Sequence, residues 1–319
     1  MKKQTGFTLI ELMIAIALGL LIVAAALMML FSGQKNVALQ KSSASLQDDQ
    51  NFGLAYIAKN VRQANLFTPS AEVKAGTRYA GIVFNAENLD SNLMLVSDFK
   101  TKYVTQASNA SNMKVKGTTS ATNNDQLVVQ YRPAEAGYDC EGKVIGPTTY
   151  VVERYFVRTD TNGGRSADER AALACASSHY SGSLTAAQDL ETGTNGIYGS
   201  GQILMQRVDL FKVRFLTQSG AGTASSPYTY RYMTAAEYKT AADAAVTTTP
   251  VGNTPRILAI QLGVIARAVD PTTESSVTTT QEFNLFGQTF VQKEGFPSRY
   301  IRTPIVQTIA LRNALGDRS

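Results

Sequence analysis

The strongest constraint on this chain is a run of twenty residues, Leu12 to Phe31, that carries no charge and almost no polar side chain. At 1.5 Å rise per residue such a helix is about 30 Å long, the thickness of a bilayer's hydrocarbon core. Lys2 and Lys3 precede it, which predicts a cytoplasmic N-terminus and export of everything that follows. A secretory signal peptide has a shorter apolar core, and although Ala24-Ala25-Ala26 imitates a cleavage site, Leu27 to Phe31 carries the apolar stretch past it. A plain membrane anchor accounts for the length but not for Glu11, which stands at the cytoplasmic end of the run. A carboxylate within a membrane segment costs about 2.5–3.5 kcal/mol on insertion scales, so Glu11 reads as a functional residue.

The residues around it, Gly6-Phe7-Thr8-Leu9-Ile10-Glu11, resemble the processing site shared by type IV pilins and type II secretion pseudopilins. The resemblance implies that a prepilin peptidase cuts between Gly6 and Phe7. It implies that Phe7 becomes an N-methylated terminus and that Glu11 is the assembly carboxylate. The physical chemistry agrees. A cationic amine at a helix N-terminus opposes the helix dipole, and Glu11 of an adjacent, axially offset subunit would neutralise it. In a low-dielectric bundle an unpaired charge is costly, so the pair fixes register.

Helical signals continue beyond Phe31: Leu39 and Leu46 are one heptad apart, and Leu54, Ile57 and Val61 follow at helical spacing. The sequence therefore predicts a leader over 1–6, a membrane or assembly half of one long helix over 7–31, an amphipathic half over 32–66, and an exported globular domain over 67–319. Thr68-Pro69-Ser70 is the expected stop. The remainder reads as strands at Gly81–Phe84, Gln126–Tyr131, Thr148–Arg158, Gln202–Leu216, Arg256–Ala268 and Tyr300–Leu311. Loops are expected over Gln106–Asn124, Ser181–Gly201, Gln218–Pro227 and Thr247–Thr254, and a short surface helix over Ala235–Ala245. A long helix followed by strands gives an α+β class, with the helix packed on an antiparallel sheet.

The closing segment, Arg299 to Asn313, resembles the last strand of PilW-type minor pilins, which often end in a Leu-Arg-Asn triplet like Leu311-Arg312-Asn313. Arg62-Gln63-Ala64-Asn65 resembles the end of their helix. The resemblance implies a minor pilin that primes filament assembly near the pilus tip. Its implied partners are other minor pilins, the major pilin, the inner-membrane assembly platform and the prepilin peptidase. The implied location is the inner membrane, single-pass with a periplasmic domain, and then the extracellular pilus. A type II secretion minor pseudopilin of the J kind is the alternative within the class. A tip-displayed module for DNA uptake or adhesion is the alternative outside it.

Nothing in the sequence points to catalysis or to a cofactor. His179 is the one histidine, which excludes two-histidine motifs within this chain, and no phosphate-binding loop with Lys-Ser/Thr occurs. The net charge of +5 includes Lys2 and Lys3, and the rest is spread thinly, with no basic run typical of nucleic-acid binding. Cys140 and Cys175, an even count in an exported protein, predict one disulfide, with two separate buried thiols as the alternative. Cys175 and His179 are close in sequence, but a nucleophile pair would compete with that disulfide. Asp160 and Asn162, in Asp160-Thr161-Asn162-Gly163-Gly164, faintly resemble a calcium loop but lack the rest of a ligand set, and a tight turn explains them without metal. Tyr228, Tyr230, Arg231, Tyr232, Tyr238 and Lys239 form an aromatic-basic cluster, readable as a surface for stacking or adhesion, or as an amphipathic loop covering a sheet.

Overall fold

The computed structural model describes residues 8–162, 166–182, 184–190, 196–247, 254–272, 277–296 and 299–314. The chain divides into two compact units, Met1–Ser45 and Leu46–Ser319. Helix α1 runs from Leu9 to Val61. In the first unit its large apolar side chains, from Leu9 through Phe31 and again at Val37, stand exposed. In the second unit it turns Leu46, Leu54, Ile57, Ala58 and Val61 inward, at the three- and four-residue spacing of one helix face.

The second unit contains two large antiparallel sheets. The strands of the first are β1 (Gln106–Ala110), β3 (Asn123–Tyr131), β4 (Thr149–Thr159), β5 (Ala171–Ser181) and β6 (Gln202–Gln206), in the order β6-β5-β4-β3-β1. The second comprises β7 (Val208–Ser219), β8 (Thr229–Met233), β9 (Arg256–Arg267) and β12 (Arg302–Ala310), in the order β8-β7-β9-β12. A smaller sheet pairs the hairpin β10 (Phe283–Leu285) and β11 (Gln288–Gln292) with β2 (Met113–Val115). Helix α2 (Ala235–Thr247) follows β8.

Alternation explains the second sheet. Phe211, Val213 and Phe215 are buried on one face of β7 and pair in register with Val264, Leu262 and Ile260 of β9. These residues, the inward face of α1 from Leu46 onward, and Leu127, Val129, Tyr155, Val157 and Leu173 of the first sheet form one apolar core. The first sheet is covered on its other face too, where Val128, Tyr150, Val152 and Tyr180 meet Val83, Leu89, Phe99 and Ile197. Burial on both faces makes β3, β4 and β5 nearly continuous buried runs.

A long helix followed in the chain by an antiparallel sheet domain agrees with the α+β expectation, while several element boundaries differ. Regular helix stops at Val61 rather than Leu66, because the backbone N–H of Asn65 leaves the helical ladder for Gln130 O (3.1 Å), and Asn65 and Phe67 take positive φ values of 66° and 49°. Gly81–Phe84 forms only an isolated bridge, Ile82 to Val129. The Gln106–Asn124 stretch, expected as loop, contains β1 and β2. Gln202–Leu216 breaks at Arg207, whose φ of +60° turns the chain from one sheet into the other. Strand β5 was absent from the expected set, being built of Ala and Ser rather than large β formers. Most of the Thr247–Thr254 stretch, and Gly163 and Gly164, lie outside the described residues.

Candidate functional site

Thr8 and Glu11 form a reciprocal cap at the start of α1. The Glu11 carboxylate accepts hydrogen bonds from the Thr8 backbone N–H and hydroxyl, both 2.9 Å, and the Glu11 N–H donates to Thr8 Oγ1 at 3.3 Å. This is the Thr-x-x-Glu capping box, in which two otherwise unpaired groups of a helix start satisfy each other. Sequence reasoning singled out Glu11 but missed Thr8, although the three-residue Thr-x-x-Glu spacing carried the signal. Glu11 is the only charged residue from Thr8 to Gln34. Gly6 and Phe7 lie outside the described residues.

Cys140 and Cys175 are joined as a disulfide, with Cα atoms 6.1 Å apart. The bond ties the loop before β4 to the interior strand β5, and both cysteines are buried. Beneath it lies Glu153, fully enclosed. Its carboxylate accepts from Tyr155 Oη (2.6 Å), Tyr131 Oη (3.1 Å) and the Cys140 N–H (3.0 Å). Burial pushes the Glu153 pKa up from 4.5 to about 7, against the lowering effect of those three donors. Among the described residues, Cys140, Glu153 and Cys175 are the cysteine, histidine and carboxylate groups close enough to share an ion, and the two sulfurs are already bonded to each other.

His179 is turned to Asp139, Nε2 to Oδ2 at 2.8 Å, and Cys175 has no free thiol to offer it. Asp139 also accepts from the Ser177 hydroxyl and the backbone N–H groups of Glu141 and Lys143. These contacts, with the His179 bond, hold its carboxyl below the usual range against the raising effect of burial. Asp160 Oδ1 accepts from the Asn162 N–H at 2.9 Å, the geometry of an Asx turn.

The aromatic cluster divides. Tyr238 belongs to the core: its ring packs 4.6 Å from Phe84, and its hydroxyl accepts from Ala75 N–H and donates to Pro255 O. That corrects its placement with the surface residues, since α2 turns Tyr238 inward. Lys239 pairs with Asp243 at 3.1 Å on the exposed side of α2. Tyr230, Arg231 and Tyr232 lie on β8, and Tyr228 immediately precedes it, so these residues form an exposed strand edge and not a covering loop.

Two further groups make contacts that the sequence did not disclose. Asp209 is fully buried between Arg302 Nε (2.7 Å) and Arg267 Nη1, and also accepts from Asn112 Nδ2 (2.8 Å). Phe296 and Tyr300 pack their rings over the two guanidinium groups. The other is Asn65, whose Oδ1 accepts from Gly81 N–H (2.9 Å) and whose Nδ2 donates to Ser70 O (2.8 Å) and Asn313 O (2.9 Å). Asn313 Nδ2 in turn donates to Arg62 O (3.1 Å) and Ala64 O (3.3 Å), satisfying carbonyls at the end of α1.

Comparison with known proteins bears on the same regions. The model of the family described as Type IV Pilus-assembly protein W matches residues 154–313. The Prokaryotic N-terminal methylation motif matches residues 1–27. No protein of curated function matches the chain. Among solved structures it is similar to a type IV-like pilin from Thermus thermophilus, at 12% identity and a TM-score of 0.30, over 84% of this chain and 98% of that one.

Proposed function

Because the chain belongs to the family of type IV pilus-assembly protein W, we propose that it is a minor pilin that primes filament assembly and sits near the tip of the pilus. The observation that carries this reading is Glu11, a lone carboxylate at the start of an exposed apolar helix, directly after a methylation-type processing sequence. In this reading the prepilin peptidase removes residues 1–6 and Phe7 becomes the methylated terminus. Residues 7–31 wait in the inner membrane with the globular domain in the periplasm.

Glu11 then pairs with the terminal amine of an adjacent subunit. The capping box bears on this step. Before assembly the carboxylate is held by Thr8, which offsets part of the cost of keeping it in an apolar medium. A neighbour's cationic amine offers a charge-assisted bond, stronger than the two neutral donors provide singly. The family is that of a pilus-assembly pilin, and association with other pilus components follows from it. The specific partners proposed are the other minor pilins, the major pilin and the assembly platform.

The test is purification of the full chain from membranes of the piliated organism, with mass spectrometry of the partners and of the N-terminus. The expected result is a set of pilins co-purifying with a chain that begins at N-methylated Phe7. Glu11→Ala is expected to leave cleavage intact while lowering incorporation into pili. Unchanged piliation and complex formation in that variant would remove the assembly role assigned to Glu11.

A further inference from the structure

The two large sheets have four edges, and three are closed in recognisable ways. Against β6 lies α1, so close at Gly53 that a Cβ there would stand 2.6 Å from Met205 Cε. Strand β1 is irregular, its pairing with β3 shifting between Ala107 and Ala110. Strand β12 carries Pro304, which has no N–H to offer a further strand. Bulges, prolines and covering elements are the devices by which proteins keep sheet edges from pairing.

The fourth edge, β8, has none of these. It pairs with β7 through five consecutive residues without a register shift, and among the described residues no strand pairs with its other side. Both of its faces are exposed from Thr229 to Tyr232, Tyr230 at 56% and Tyr232 at 42%. Its position is fixed at both ends. On one side the turn closes through Thr223 and Ser226. On the other, Thr234 and Glu237 form the capping box that starts α2. Gln218 Nε2 holds the Tyr230 hydroxyl at 2.9 Å. A rigid, unblocked strand edge lined with tyrosines is suited to strand addition, in which backbone bonds supply affinity and the alternating side chains supply choice.

We propose that β8 receives an extended segment of a different subunit of the same filament, added as a further strand, with an acidic residue opposite Arg231. Charge selects the chemistry of the occupant. Arg231 is exposed, and among the described residues it makes no ion pair within 4 Å; Glu237 feels its charge, but its carboxylate is bonded to Thr234 in capping α2. Pairing with β8 of a second copy does not fit, on the reading of the chain as a pilin: the same edge of two copies meets only across a two-fold axis, and subunits of a polar filament are related by a screw. Single-stranded nucleic acid would use the rings but needs a basic groove to follow its phosphates, and β8 contributes Arg231 alone.

The experiment places a benzophenone amino acid at Thr229 of the full-length chain in filament-producing cells. The expected product is a crosslink to another pilus subunit, mapped by mass spectrometry to an extended segment containing Asp or Glu. Arg231→Glu should lower its yield about tenfold and Arg231→Lys should preserve it. Because Arg231 lies outside the core, both variants should keep the disulfide and wild-type protease resistance. A crosslink only to a second copy or to nucleic acid, no crosslink from assembled filaments, or a yield indifferent to Arg231→Glu would each overturn the proposal. A chain that fills filaments yet gives no such crosslink defeats the strand addition alone. A chain that never enters filaments defeats the pilin reading with it.

Discussion

Glu153 should make the globular unit less stable as pH rises toward neutrality, and Glu153→Gln should abolish that dependence. The native carboxyl keeps its proton up to about pH 7, whereas in the unfolded chain it loses it near its ordinary value of 4.5. Between those limits the native state binds more protons than the unfolded state, so stability falls as pH rises. Below pH 4.5 the contribution is fully present, and above about pH 7 it is gone. At about 1.4 kcal/mol per pH unit, the interval is worth about 3 kcal/mol. Burial is the leading cause, and no exposure discounts it, because Glu153 is fully enclosed. The assay is guanidinium unfolding of residues 35–319, a fragment that retains every buried apolar residue of the chain's core, at intervals from pH 4 to 8 with the disulfide intact. Other carboxylates tilt both curves equally, so the difference between wild type and Glu153→Gln isolates this group. The amide keeps an acceptor for the Cys140 N–H and can donate to a tyrosine hydroxyl. The difference should swing by about 3 kcal/mol in favour of the variant between pH 4 and pH 8. Parallel curves would show that the carboxyl is solvated or paired in a way the geometry excludes. Tyr155→Phe supplies a check of sign: removing the 2.6 Å donor to the charged form should move the pH-dependent loss to higher pH.

Three other perturbations have expected outcomes. Replacing both Cys140 and Cys175 by Ser should cost about 3–4 kcal/mol, as expected for opening a loop with a sequence separation of 35, and reductant should produce a comparable loss in the wild type. Asp209→Ala leaves Arg267 and Arg302 buried without their shared counter-ion and should cost about 3–5 kcal/mol, read as a fall in denaturant midpoint, with Asp209→Asn milder. Asn65→Asp sets a carboxylate oxygen against the Ser70 and Asn313 carbonyls and should destabilise more than Asn65→Ala, itself costing about 2–3 kcal/mol by thermal unfolding.

What could be read from the sequence was whatever local physics decides. The uncharged stretch after Glu11 permits little besides a helix. Alternation in β7 and β9 survives because each strand keeps one face against the shared core. Strand β5 shows the limit. Ala171 to Ser181 has little apolar bulk of its own, and it is a strand because β4 and β6 flank it and both faces are covered. Glu153, Asp209, Arg267 and Arg302 are polar letters in the sequence, and only the packing of distant strands encloses them. Exposure misled in the opposite direction at Tyr238, grouped with the tyrosines of β8 until the rotation of α2 carried it into the core.

The end of α1 shows how local and distant determinants combine. Arg62-Gln63-Ala64-Asn65 and Leu311-Arg312-Asn313 were each matched to the family as separate short signatures. In the fold they are one device. Asn65 takes the left-handed conformation that Asn tolerates better than most residues, which turns its side chain toward Gly81, Ser70 and Asn313. Gly81 has to be glycine here, because a Cβ would approach Asn65 N to 2.3 Å. Leu311 is buried in the core, and its N–H donates to Leu258 O, which delivers Asn313 to the carbonyls of Arg62 and Ala64. The helix therefore ends where the last strand's tail can cap it, and a composition rule that looks only at Thr68-Pro69 places that end several residues too late.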